Sequence, residues 1–146
     1  SKINEVNPLT IARDTELGEI SISDIMFAQV IAECFKSETC LGRVFPATKK
    51  GRQIGSDQKY SLGEFAGHIE TEKSFDGESV DLAFSVIVKF GTSIRSLTDV
   101  LGDDIAEKIQ QKLGQKPRQI TIRITGVKSR QIARRNLEVI KRYAAH

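Results

Sequence analysis

Between Val80 and Val127 the spacing of apolar residues changes twice, and this limits the possible folds more than any other feature of the chain. From Val80 to Gly91 (VDLAFSVIVKFG), Val80, Leu82, Phe84, Val86, Val88 and Phe90 fall at every second position, the repeat of a β-strand with one buried face. After Gly91 the repeat lengthens to about 3.6 residues. Ile94, Leu97, Leu101, Ile105, Ile109 and Leu113 line one side of a helix with Gly102 as a weak point near its middle. Pro117 ends it, because proline has no amide hydrogen with which to continue the ladder. Ile120, Ile122 and Ile124 then alternate from Gln119 to Val127 in a further strand. Strand, helix and strand in this order predict a parallel crossover.

The flanking segments add to that unit. Ile25, Phe27, Ala28, Val30, Ile31, Cys34 and Phe35 predict a helix from Asp24 to Lys36, with Ser23 placed to accept from its first free amides. Before it, GEISIS from Gly18 to Ser23 reads as a short strand, and residues 1 to 17 read as an extended arm. Phe65, Gly67 and Ile69 alternate in a strand predicted to run to Lys73, and Asp76-Gly77 supplies a turn into Val80, so these two strands pair as a hairpin. From Ser37 to Leu62 no period holds, which predicts a long loop or a pair of short segments. With 146 residues, 39% of them hydrophobic, the chain suits one domain. The expected fold class is α+β: a small mixed sheet with two helices packed on one face. The opposite face then presents His68, Glu70, Ala83, Ser85, Ile87, Thr121, Arg123 and Thr125, a set more small than charged. Of these, His68, Ala83, Ser85, Ile87, Thr121, Arg123 and Thr125 are the candidate interface on the sheet face, against the plainer reading of a solvated surface and that of cover by the C-terminal segment.

Net charge is only +3, but the cations are gathered. The segment 128–146 carries Lys128, Arg130, Arg134, Arg135, Lys141 and Arg142 against Glu138, and the loop from Pro46 to Leu62 carries Lys49, Lys50, Arg52 and Lys59 against Asp57. The rest of the chain is net acidic, so an anionic partner would meet these two appendages. On a helical wheel, 129–144 divides into an apolar side with Ile132, Leu137, Ile140 and Tyr143 and a basic side, predicting a C-terminal basic amphipathic helix over 128–146. Its apolar stripe is expected to dock on the protein's own body rather than on an anionic membrane. Lys49, Lys50, Arg52, Arg130, Arg134, Arg135, Lys141 and Arg142 are the candidate contacts to a partner or anion.

Reactive constellations are scarce. Cys34 and Cys40 are the only cysteines, and His68 and His146 the only histidines, so no metal-ligand spacing arises and the thiols read as reduced residues of a cytosolic protein. The Asp103-Asp104 pair follows Gly102 and suits a helix restart better than acid–base work. Gly51 and Gly55 lack the spacing and the following Lys and Ser or Thr of a phosphate loop. No apolar run approaches the roughly 20 residues of a spanning helix. No catalytic residue, metal or cofactor is expected.

Taken in order, Gly18 to Ser23 with the helix after it, VDLAFSVIVKFG with Ile94, the AEKIQQKL helix from Ala106 to Leu113, and ITIRITGV from Ile120 to Val127 resemble the alkaline-shock-protein family of bacteria. The resemblance spans residues 18 to 127 and rests on hydrophobic pattern with Gly91, Gly126 and Val127 rather than on reactive residues. It implies one α+β domain over 18–127 and a non-enzymatic scaffold or binding protein of the general or envelope stress response. Such a protein acts by assembling with itself and with protein partners, membrane-anchored ones among them, in the cytoplasm at the inner face of the membrane. No small-molecule substrate is expected. The long basic segment from Pro46 to Leu62 and the basic end depart from the family pattern, and the alternative reading is a nucleic-acid-binding module that uses them.

Overall fold

A computed structural model describes residues 22–57, 59–74 and 79–143. Its elements in chain order are α1 (Ile22–Phe35), β1 (Val44–Ala47), α2 (Leu62–Ala66), β2 (Glu70–Lys73), β3 (Val80–Lys89), α3 (Ile94–Leu113), β4 (Gln119–Lys128) and β5 (Ile132–Arg142). The strand expected from Gly18 lies outside the described residues as far as Ser21, while Ile22 and Ser23 open α1; the arm at 1–17 and the turn residues 75–78 lie outside them as well.

The unit expected from the changing period is present. β3 and β4 pair in parallel, with α3 crossing between them. α3 starts at Ser93, whose hydroxyl accepts from the Ser96 amide, and stops at Gly114 in a left-handed conformation. Around this unit the protein is α+β, with one five-stranded sheet in which every other pairing is antiparallel. β1 and β2 follow one another along the same edge of β3: β1 pairs with Ser85–Val88 and β2 with Val80–Ala83. β5 lies against β4 at the other end of the sheet.

Both long helices pack on one face. Val80, Leu82, Phe84, Val86 and Val88 of β3 and Ile120, Ile122 and Ile124 of β4 are buried in one cluster with Phe27, Val30, Ile31 and Phe35 of α1 and Leu97, Leu101, Ile105 and Ile109 of α3. Phe65 of α2 sits within it, its ring 5.8 Å from that of Phe35 and 6.4 Å from that of Phe84. Cys34 and Cys40 are free and buried in the same cluster.

Three expectations need correction. Residues 132–142 form strand β5, not a basic helix; the propensity of Ala, Arg, Leu and Glu for helix yields to a hairpin with β4 that pairs Leu137 with Ile124 and Val139 with Ile122. Phe65 and Ala66 belong to helix α2 rather than to a strand, because Ser61 caps the segment by accepting from the Glu64 amide, and the hairpin strand begins only at Glu70. Within 37–62, where a long loop or a pair of short segments is expected, the short strand β1 forms, and its four residues are all buried. Phe90 does not continue the core face of β3: the strand ends at Lys89, and Phe90 is 71% exposed.

Candidate functional site

The second face of the sheet is covered by the chain itself. After β1 the backbone turns sharply. Thr48 and Arg52 exchange hydrogen bonds through the Thr48 amide, the Arg52 carbonyl and the Thr48 hydroxyl. The Ile54 amide then donates to the Pro46 carbonyl, which folds residues 52–54 back along β1 and drives Ile54 into the main core. The tip of this turn rests on β4: the Thr125 hydroxyl donates to the Thr48 carbonyl at 3.3 Å, and a side chain on Gly51 would stand 2.9 Å from the Thr125 carbonyl oxygen. Only a glycine passes so close, and at φ +89° the backbone there also disfavours any other residue. Under this cover Phe45, Ala47 and Ile87 form a second, small apolar core, and Lys128 lies over the Phe45 ring at 5.0 Å while its amine bonds Asp57 and Gln53.

The middle of the face is spanned by Arg123. From β4 its guanidinium donates to Glu138 on β5 through Nε and to Glu70 on β2 through Nη2, so the side chain bridges the sheet across β3. Its Nη1 is buried without a partner among the described residues, as are the Ser85 hydroxyl and His68 Nε2. Lys49 pairs with Glu70 as well. Burial works against the Glu70 carboxylate, but the hydrogen bonds and charges of Lys49 and Arg123 outweigh it and hold its pKa below the ordinary value. Arg134 reaches back from β5 to donate to the Lys50 carbonyl at 2.9 Å.

Register decides what meets here. Ile124 pairs with Leu137 and Gly126 with Arg134, so β5 sets two residues, Arg135 and Asn136, against the single Thr125. At the same point β4 inserts Thr125 relative to β3, where Val86 pairs with Ile124 and Ile87 with Gly126. Such bulges bend a strand and re-aim its side chains. The result is a groove of about 410 Å³ lined by Lys49, Lys50, Arg123, Thr125, Arg134, Arg135 and Asn136. A neighbouring hollow of about 580 Å³ shares Lys49 and Lys50 and adds Thr48, Arg52, Gly67, His68 and Glu70.

Of the eight expected anion contacts, the fold thus gathers Lys49, Lys50, Arg134 and Arg135 in one groove and leaves Arg52 beside it, 3.9 Å from Glu64. Arg130 lies in the turn between β4 and β5, and Arg142 is at the far end of β5, opposite Gln119. Lys141 is elsewhere: it crosses α3 at Gly102, where a side chain would come 2.6 Å from Lys141 Cδ, and pairs with Asp99 and Asp103, the latter also accepting from the Tyr143 hydroxyl. Of the expected sheet-face interface, Ser85, Ile87, Thr121 and Thr125 are buried, while Ala83, Arg123 and His68 keep partial exposure. In the sequence Arg123 and Thr125 stand out as sheet-face interface residues but not as members of the basic groove, and Asn136 does not stand out at all. No local signal ties these residues to Lys50, because the link is the register of a hairpin whose turn lacks Gly and Asn.

Among the described residues no group of three or more His, Cys, Asp or Glu is placed to hold a metal ion, and no helix is long and apolar enough to cross a membrane. Comparison with models of protein families, with curated proteins and with solved structures gives no match.

Proposed function

We propose that this chain is a non-enzymatic binding protein that associates with itself, and with protein partners, through the open edge of its sheet. One observation carries the reading: β5 is eleven residues long and pairs only with β4, so its outer row of amides and carbonyls has no strand partner among the described residues. Exposed edges of this length are templates for strand addition. The other end of the sheet is protected differently. Residues 52–54 fold along β1, which itself contains Pro46, and β2 is four residues of mostly exposed charge.

The sequence of β5 favours a second copy of itself. In an antiparallel pair centred on Asn136, Ile132 faces Ile140 of the second copy and Arg134 faces its Glu138, while Ala133 faces Val139 and Arg135 faces Leu137. From Ile132 to Ile140 no like charges stand opposite one another, and the two-fold repeats every contact, as an isologous dimer requires. Ile132 and Ile140 are 37% and 43% exposed in the single chain and gain cover in this arrangement. The resemblance of residues 18 to 127 to the alkaline-shock proteins points the same way, toward a scaffold of the envelope stress response at the inner membrane face.

Light scattering across a concentration series tests the proposal. The wild-type chain is expected to form dimers or larger species. Arg134→Glu sets carboxylates opposite one another and is expected to give monomers, and mixing it with Glu138→Arg restores a heterodimer with both pairs complementary. A wild-type chain that remains monomeric at several hundred micromolar overturns the reading.

A further inference from the structure

We infer that the groove between the 48–52 turn and β5 is a phosphate-binding site that grips the backbone of single-stranded nucleic acid without reading its sequence. This rests on the back-face groove, not on the open edge. Five cations, Lys49, Lys50, Arg123, Arg134 and Arg135, converge there from three segments distant in sequence. Their carboxylate partners are Glu70, which takes Lys49 and Arg123, and Glu138, which takes Arg123. Lys50, Arg134 and Arg135 are left without a carboxylate partner among the described residues, although Lys50 lies beside Arg134. Like charges held together by a fold lower their mutual repulsion when an anion enters.

The lining selects the ligand's chemistry. Every polar side chain in it is a donor or can be one: two amines, three guanidinium groups, the Asn136 amide and the Thr125 hydroxyl. Lysine and arginine contacts to phosphate oxygens are charge-assisted and strong. Among the described residues no aromatic side chain lines the groove, so bases find no aromatic stacking platform, and recognition centres on the backbone. A polymer fits better than one small anion because a further cation, Arg52, lies past the groove in the adjoining hollow, 3.9 Å from Glu64.

The expected strength follows from the cation count. Neutralising about three phosphates of a single strand gives a slope of about −2 in log Kobs against log salt. Between 50 and 200 mM salt the affinity should therefore fall about 15- to 20-fold.

The test is fluorescence anisotropy of a labelled oligouridylate titrated with the full chain at several salt concentrations. The wild type is expected to bind at low salt with that slope. Lys50→Glu/Arg135→Glu is expected to weaken binding more than tenfold and flatten the slope toward zero, while Arg142→Glu, with one reversal at the far end of β5, stays within about twofold. Circular dichroism melts of the variants check that each is folded. A parallel arm uses ATP and inorganic phosphate: binding of these but not of the oligonucleotide, lost in the double variant, keeps the phosphate site and assigns its source to a free phosphorylated molecule. The inference is overturned if no phosphate-bearing probe binds at low salt, if Arg142→Glu weakens binding as much as the double variant, or if only anionic lipid vesicles are retained.

Discussion

Replacing Gly51 by alanine isolates the contact that lays the basic turn on the sheet, provided it is measured beside Gly42→Ala. Both glycines have positive φ, +89° and +74°, so either alanine accepts a left-handed conformation at a cost of about 1 kcal/mol. Both substitutions also restrict the unfolded chain to a similar degree, which cancels in the comparison. The surroundings differ. Among the described residues nothing lies within 4 Å of a side chain placed at Gly42, whereas one at Gly51 stands 2.9 Å from the Thr125 carbonyl oxygen. That oxygen belongs to a paired strand, so the turn must lift. Lifting strains the bonds from Thr125 to the Thr48 carbonyl and from Arg134 to the Lys50 carbonyl, each worth about 1 kcal/mol. Gly51→Ala should therefore lose about 2–4 kcal/mol against about 1 kcal/mol for Gly42→Ala. Urea denaturation, with the slope checked for constancy, reads both values. If the two variants fall within about 0.5 kcal/mol of one another, the turn is not seated on Thr125 as described.

Three further predictions address the rest of the molecule. Ile87, fully buried under the turn, should cost about 2–4 kcal/mol when replaced by alanine, read from the same denaturation curves; a loss under about 0.5 kcal/mol would mean that the face is open. The hydrogen bond from Lys141 and that from Tyr143 hold Asp103 below its usual pKa, while Lys141, although disfavoured by burial, is raised by Asp103 and Asp99. The Asp103 contribution is thus present above its unfolded pKa and lost as pH falls through the folded one, and the Lys141 contribution is present below its unfolded pKa and lost as pH rises through the folded one. Lys141→Met should accordingly flatten the acid limb of the Tm–pH curve, and an unchanged limb would contradict the pairing. Burial raises the pKa of both Cys34 and Cys40 thiols, so a thiol reagent should label neither in the native protein and both in urea; rapid native labelling at neutral pH would refute their burial.

What the sequence discloses and what it conceals divide along one physical line. β3, α3 and β4 were legible because each carries its own period, and a period is a local property: five alternating residues in β3, a helical stripe from Ile94 to Leu113, three isoleucines in β4. β5 was not legible. Ile132, Leu137, Ile140 and Tyr143 satisfy a helical stripe, while Leu137 and Val139, which pair with Ile124 and Ile122, satisfy a strand. The choice between them is made by residues of β4 already folded, not by β5 itself. The hairpin gave little warning either, since Ser129-Arg130-Gln131 contains no Gly, Pro, Asn or Asp. α2 did carry a local sign in Ser61-Leu62-Gly63-Glu64, a capping pattern masked by the apparent alternation of Phe65, Gly67 and Ile69. The back-face groove was half legible: its cations were visible as clusters, but only pairing and the register shifts at Thr125 bring Lys50 beside Arg134.

Because Arg134 belongs both to the open edge and to the groove, the two proposed activities must be coupled. In the self-paired register, Glu138 of the second copy stands opposite Arg134 and brings a carboxylate to the rim of a groove whose attraction for phosphate rests on three uncompensated cations. Dimer formation therefore lowers the groove's affinity, and thermodynamic reciprocity requires a bound phosphate chain to lower the dimerisation constant by the same factor. Salt separates this from simple screening: added salt weakens the Arg134–Glu138 pair and phosphate binding together, whereas a short oligonucleotide opposes the dimer specifically. The measurement is light scattering at fixed low salt, with and without an oligonucleotide too short to bridge two grooves. A severalfold weaker dimer is expected, and the effect should vanish in Lys50→Glu/Arg135→Glu, which retains Arg134 but no longer holds the ligand. An oligonucleotide that strengthens the dimer, or one that weakens it equally in the double variant, would show that edge and groove do not share Arg134 in the way the register requires.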